Sequence, residues 1–261
     1  MDVVIQPTRE EACDLAARIM AKEIRAKPNI VLGLATGRTM ERVYGMLAER
    51  HRDEGLDFAE VVTFNLDEYI GLPPDHPNSY RQYMEKHLFQ QVNVAVDRTF
   101  LPNGVADDID AECERYEELI LESGGIDFQL LGIGRSGHIG FNEPLSALLS
   151  RTRPKALMPA TVEQNAPLFD NPDEMPRRAI TMGVGTILEA RRCVLLATGE
   201  EKAEIIAKAV EGPVTSMISA TALQLHPKCT VIVDEAASRD LQHRDYYQWT
   251  FENEPEWEEF Q

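Results

Sequence analysis

Three stretches of this sequence carry the residue types that move protons or hold anions. The segment GIGRSGHIGFNEP spans residues 132–144, with His138 among four glycines and Glu143 five positions on. Imidazole titrates near neutrality and suits proton transfer, and a nearby carboxylate can orient the ring and stabilise its cation. Ser136, two residues before the histidine, brings a hydroxyl but no charge. Glycines let the backbone bend as other residues cannot and let a ligand come close. Structural and surface histidines are common, so the glycine loop is what favours a chemical role here.

The second stretch is NLDEY, residues 65–69. Asp67 and Glu68 would point opposite ways in an extended chain, so only one need face a site; solvated surface acids are the commoner explanation of such a pair. The third is ATGRT, residues 35–39. A glycine turn leading into a helix exposes backbone N–H groups, and Thr36, Gly37, Arg38 and Thr39 could together cradle an anion. The plainer alternative is that Thr39 merely caps the helix. The spacing fits neither a P-loop nor a dinucleotide fingerprint. Lys202, in TGEEKAE, is a further cation facing an anion or a surface lysine at a helix start.

These residues need a scaffold, and the hydrophobic pattern supplies one. Apolar runs at 29–35, 61–66, 126–134, 178–184, 192–198 and 229–235 read as buried strands. Between them lie helical stripes: a capping box from Thr8 to Glu11 opens the first, and Met40, Val43, Tyr44 and Leu47 mark the second. Residues 107–122 and 200–211 also read as helices. Such alternation predicts an α/β fold with a mainly parallel sheet and helices on both faces, in which ligands bind beyond the carboxyl ends of the strands. All the candidate residues follow one of these runs. No linker or repeat divides the chain, so 1–261 is expected to be one domain. The acidic, aromatic end, about 245–261, either packs through its aromatics or is loose.

Composition narrows the partners. A formal net charge of −18 repels nucleic acid and anionic membranes, so an anionic small molecule needs a local positive pocket. The four cysteines (Cys13, Cys113, Cys193 and Cys229) have no CxxC or zinc spacing and read as reduced core thiols. With no signal-peptide pattern and no segment of membrane-spanning length, a soluble cytoplasmic protein without metal is expected.

Taken together, GLATGRT, VVTFNLDEYIGL, HPNSY, LGIGRSGHIGFNEP, SRTRPKAL, AITMGVGTIL and LQLHP resemble the glucosamine-6-phosphate deaminases, also called isomerases, over nearly the whole chain. The resemblance implies a Rossmann-like three-layer α/β/α sandwich that uses no cofactor. Its substrate would be an amino sugar phosphate: glucosamine 6-phosphate and water become fructose 6-phosphate and ammonia. On that pattern His138 opens the sugar ring, Asp67 moves the C2 proton, and Glu143 supports His138. The phosphate rests on Thr36, Gly37, Arg38 and Thr39, with Lys202 as counter-charge. A lid is expected at about 153–180. Ser146, Arg153 and Lys155 match part of an allosteric site known in hexameric members, although Arg153 and Lys155 are also ordinary basic residues leading into the lid. A homo-oligomer is left open.

Two departures stand out. Ser136 occupies a relay position that is Asp or Asn in other members. Pro167 stands where members carry a phosphate-binding Arg, while Arg38 fills a position that is commonly Gly or Ser. The expectation is a charge swap, in which Arg38 supplies the missing guanidinium. The competing readings are an isomerase or lactonase of the same fold acting on another substrate, and a non-catalytic sugar phosphate sensor.

Overall fold

All six apolar runs form strands in a computed structural model that describes residues 1–261. In chain order the strands are β1 (Asp2–Gln6), β2 (Val31–Leu34), β3 (Val62–Asn65), β4 (Asp67–Tyr69), β5 (Thr99–Phe100), β6 (Phe128–Leu131), β7 (Arg153–Ala156), β8 (Arg178–Thr181), β9 (Arg192–Ala197) and β10 (Cys229–Asp234). The helices are α1 (Arg9–Ala26), α2 (Arg38–Glu54), α3 (Tyr80–His87), α4 (Ile109–Glu122), α5 (Pro159–Asn165), α6 (Val184–Leu188), α7 (Ala203–Glu211) and α8 (Arg244–Asn253).

Seven strands make one sheet, ordered β1-β10-β9-β6-β2-β3-β5 and parallel at every pairing. Its central strands, VLGL in β2 and FQLL in β6, are buried along their whole length, as a sheet covered on both faces requires. Helices flank it. In α1 the Thr8 hydroxyl accepts the Glu11 N–H at 3.2 Å and donates to the Glu11 carboxylate at 2.7 Å, so the box closes between side chains. That helix then buries Leu15, Ile19, Met20 and Ile24. All four cysteines are buried and free. No helix is long and apolar enough to cross a membrane.

The run at 178–184 belongs elsewhere than expected. Its strand β8 pairs antiparallel with β4 and β7 in a separate three-stranded sheet, ordered β4-β8-β7. An apolar strand reports that it is buried, not which sheet it joins. The small sheet shares a cluster of Tyr69, Leu72, Phe141, Leu157, Phe169, Met175 and Ala179.

The chain end is docked. Trp257 is 1% exposed and joins the main core together with Phe260. The Arg18 guanidinium donates to the Glu259 carbonyl at 2.6 Å and the Phe260 carbonyl at 3.3 Å, and lies 5.3 Å from the Phe260 ring centroid. Lys22 pairs with the Glu259 carboxylate.

The chain moves outward from β2 through β3 to β5, then returns to lay β6 on the other side of β2. Strand order therefore reverses between β2 and β6, the point at which sheets of this kind form a ligand crevice beyond the carboxyl ends of their strands.

Candidate active site

Four neighbouring strands deliver the candidate residues to this crevice. Across the sheet, β9 leads to Lys202, β6 to the histidine loop, β2 to Thr36–Thr39 and β3 to Asp67. A Cβ built on Gly140 would lie 3.5 Å from the Asp67 carboxylate and 2.8 Å from the Thr181 hydroxyl, so the β6 loop reaches past the end of β2 to Asp67. Gly140 takes φ +55°, which favours glycine. The loop is pinned there: the Phe141 N–H donates to Thr181 Oγ1 at 3.0 Å, and Asn142, wholly buried, donates to the carbonyls of Ile139 and Met182 at 2.9 and 2.8 Å. The Ser219 hydroxyl accepts from the Ile139 N–H and donates to the Asn142 carbonyl.

His138 and Glu143 are in contact. His138 Nδ1 lies 2.9 Å from Glu143 Oε2 and 2.8 Å from the Ser136 hydroxyl. A carboxylate only accepts, so this geometry places a proton on Nδ1 and leaves Nε2 as the basic nitrogen. Nε2 has no protein partner and lies over Gly134, where a Cβ would come within 2.0 Å of it. Any other residue at 134 would displace the ring. The second Glu143 oxygen, Oε1, accepts the Thr161 hydroxyl at 2.6 Å and the Met158 N–H at 3.3 Å. Burial works against the Glu143 charge, but His138, Thr161 and the Met158 N–H outweigh it and hold the carboxyl below its usual range.

The two acids of NLDEY part company. Asp67 is 7% exposed and accepts no hydrogen bond from the protein; burial, with the neighbouring Glu68 carboxylate adding to it, pushes its pKa up to about 8. Glu68 turns away and accepts the N–H groups of Tyr69, Tyr80 and Arg81 at 2.8, 3.0 and 3.1 Å, tying β4 to the start of α3. Burial raises Glu68 to about 7, against the pull of those N–H groups.

At the other end, Gly37 is the N-cap of α2 with φ +122° and no side-chain cap. Thr39 therefore sits inside the first turn and caps nothing, which removes the plainer explanation of ATGRT and leaves the first N–H groups of α2 without a side-chain partner. Arg38 is exposed and in no ion pair within the chain. The Lys202 ammonium donates to the Ile133 carbonyl at 2.7 Å, at the root of the histidine loop. Burial lowers its pKa, with Glu201 opposing and Arg135 assisting. Pro167 lies exposed in a single turn after α5, with neither charge nor N–H to offer. No group of three His, Cys, Asp or Glu is placed to hold a metal ion.

The outer residues are spread around this centre. Ser146 is buried and its hydroxyl has no partner, while its N–H donates to the Glu143 carbonyl at 3.1 Å. Arg153 donates to the Asn142 side chain at 2.9 Å and the Arg151 carbonyl at 3.3 Å, and Lys155 lies two residues further along β7. No hydrogen bond joins Ser146, Arg153 and Lys155 to one another.

Thr161 and Asn142 are the residues the sequence reading passed over; only the Asn-Glu-Pro after the histidine hinted at the second. A tyrosine chain was also unforeseen. Asn165 donates to the Tyr69 hydroxyl at 3.1 Å, Tyr80 donates to the same oxygen at 3.2 Å, and the Tyr80 hydroxyl approaches the Thr36 side chain.

Residues 6–232 match the family model described as glucosamine-6-phosphate isomerases/6-phosphogluconolactonase. The chain is 48% identical to a glucosamine-6-phosphate deaminase of Arthrobacter sp. (strain FB24) over 99% of each chain. It is 50% identical to that of Rhodopirellula baltica over 94% of this chain and 97% of the relative. Among solved structures, a monomeric glucosamine-6-phosphate deaminase superposes with a TM-score of 0.90 at 47% identity, covering 92% of this chain and 100% of the other. The 6-phosphogluconolactonase of Trypanosoma cruzi, at 19% identity and a TM-score of 0.75 over 92% of this chain and 97% of its own, shares the fold. The chain belongs to the glucosamine-6-phosphate isomerase/6-phosphogluconolactonase family, on its glucosamine-6-phosphate deaminase side.

Proposed function

We propose that this enzyme converts glucosamine 6-phosphate and water to fructose 6-phosphate and ammonia. The observation that carries the reading is the separation of two proton-handling groups across one crevice: a His138–Glu143 pair at 2.9 Å with Nε2 free, and a buried Asp67 beyond Gly140. The reaction needs two such groups, because the C2 proton becomes acidic only after C1 is a free aldehyde. His138 Nε2 takes the proton of the anomeric hydroxyl and delivers one to the ring oxygen as the C1–O5 bond breaks. Glu143 holds the imidazolium formed in between.

The Asp67 carboxylate then removes the C2 proton, giving an enolamine once O1 is protonated, and returns a proton to C1. That leaves an imine at C2. Water adds there, ammonia departs and the ketone remains. A carboxyl at about 8 is a stronger base than an exposed aspartate, which suits it to a carbon acid. The substrate phosphate rests against the start of α2, with Thr36, Gly37, Arg38 and Thr39 around it and Lys202 beside it; the exposed, unpaired Arg38 supports the swap for Pro167. The whole chain works as one domain, with residues 153–180 as lid. Ser146, Arg153 and Lys155 form a regulatory site only if an effector sugar phosphate alters turnover.

The deciding assay follows ammonia and fructose 6-phosphate from glucosamine 6-phosphate. Turnover that collapses in Asp67→Asn supports the assignment. Tight binding without turnover of this substrate or its galacto epimer would make the protein a sensor.

A further inference from the structure

We infer that Thr161 is a positioning residue, which acts through Glu143 to hold His138 in its working orientation, so that the seating of α5 completes the proton relay. This rests on the reading that His138 opens the sugar ring. Glu143 is the meeting point of two segments. Its Oε2 serves the β6 loop, through His138 at 2.9 Å and Ser136 at 3.4 Å. Its Oε1 serves the segment that enters α5, through the Thr161 hydroxyl at 2.6 Å and the Met158 N–H at 3.3 Å. The carboxylate is 3% exposed and Thr161 is buried as well, so water is a poor substitute for that hydroxyl.

With Ser136 uncharged, Glu143 is the sole negative group in contact with His138 Nδ1. Its orientation and its ionisation therefore decide which imidazole tautomer is present. Met158 offers a backbone N–H at longer range, so among side chains Thr161 alone fixes the far oxygen. A lone hydroxyl on a core threonine usually satisfies itself within its own helix; this one is spent on the acid of the relay.

The same helix holds the other half of the site. Asn165 lies one turn beyond Thr161, on the same face of α5, and donates to the Tyr69 hydroxyl at 3.1 Å. When α5 is seated, one face thus grips the acid of the relay and the tyrosine two residues past Asp67. When it lifts, Glu143 keeps the histidine and loses both donors at Oε1. The titratable group touching Glu143 is His138; from α5 it is faced by uncharged donors, and Asp67 stands on the other side of Gly140.

The test compares Thr161→Val, Thr161→Ser and Glu143→Gln in the full-length enzyme, following kcat and KM for glucosamine 6-phosphate against pH. In Thr161→Val a donor to the charged carboxylate is gone, so Glu143 ionises at higher pH. Protonation of Asp67, at about 8, sets the first acid limb of kcat, and protonation of Glu143 a second, steeper one below the ordinary carboxylate range. That second limb should move up by about one pH unit, and kcat at neutrality should fall roughly tenfold through the lost orientation of His138 while KM changes little. Thr161→Ser, which keeps the hydroxyl, should restore the wild-type limb. A merely structural threonine would lower the melting temperature or raise KM in Thr161→Val and leave the limb in place; that result overturns the inference. If Thr161→Val is unchanged while Glu143→Gln loses turnover, the positioning role alone is wrong. If Glu143→Gln also retains full turnover, the ring-opening reading falls with it.

Discussion

The seven-stranded sheet rests on a cluster of 58 buried apolar residues, whereas the three-stranded sheet carrying Asp67 shares a cluster of seven. The large sheet is parallel, with its central strands covered on both faces. The small one is antiparallel, and one edge strand, RPKA in β7, is only partly buried. The loops of Thr36–Thr39 and His138 hang from the large sheet; Asp67 lies in the small one, and residues 157–177 join two of its strands. One rung of the small sheet joins them, because Asp67 registers with Thr181 and Thr181 with Arg153. The larger core thus lies under the loops proposed to hold the substrate. The segment proposed as the lid packs instead through Leu157, Phe169 and Met175 into the small cluster, and a smaller core is the easier one to open locally.

The strongest test of this division is Asp67→Asn. Loss of the base should cut kcat by about a thousandfold or more, yet the protein should become more stable. The sign follows from the carboxyl at about 8. Since its folded pKa lies above the unfolded one, the folded state holds a proton the unfolded state releases, and Asp67 costs stability increasingly as pH rises from about 4 to about 8. The neutral amide escapes that cost. Melting temperatures of the two proteins should be close at pH 4 and diverge towards pH 8, with the variant higher; a lower value at pH 8 would contradict the burial of the charge.

A paired comparison of cores should come next. Leu131→Ala, in β6 and fully buried, should cost about 2–5 kcal/mol of global stability, with KM and kcat little altered at a temperature where both proteins are folded. Phe169→Ala empties part of the small cluster. It should lower the melting temperature less and kcat more, with faster proteolysis between about residues 156 and 177. Equal global losses would mean that the two sheets unfold as one unit.

The phosphate end gives a smaller effect. Arg38→Ala should raise KM roughly tenfold with kcat nearly unchanged, the pattern of lost uniform binding. An unaltered KM removes the swap for Pro167. Least of all, Ser136→Ala should lower kcat by less than about fivefold, since its hydroxyl is a neutral partner while Glu143 keeps its direct contact with His138. A loss as large as that of Glu143→Gln would move the weight of the relay onto the serine.

Much of this was legible in the sequence, for identifiable reasons. Buried parallel strands must be apolar along their whole length, so the six runs stood out. The rule that ligands meet strand ends then grouped Thr36–Thr39, Asp67, His138 and Lys202 before any contact was visible. What stayed hidden was pairing. RAIT in β8 looks like the other runs, and only its partners put it in the small sheet. DEY and RPKA are too short or too polar to announce strands, so Asp67 read as part of a loop. Thr161 lies 18 residues from Glu143, and an ordinary threonine in an ordinary stretch gives no sign of so distant a partner. The sequence left Thr39 open as either cap or anion ligand because threonine is a common N-cap; only the structure shows the glycine before Arg38 taking the cap position with no side-chain bond.

The docked chain end sets what optical methods will see. The chain has two tryptophans, and both lie in that end: Trp249, 56% exposed, and Trp257, 1% exposed. Around the crevice stand tyrosines instead. Indole emission on heating therefore records the moment the C-terminal segment leaves Arg18 and the main core, and it is blind to the crevice. A red shift that precedes the loss of ammonia release would show the tail peeling from a working enzyme; a red shift that lags behind it would show the crevice failing first, under a scaffold that still glows as native.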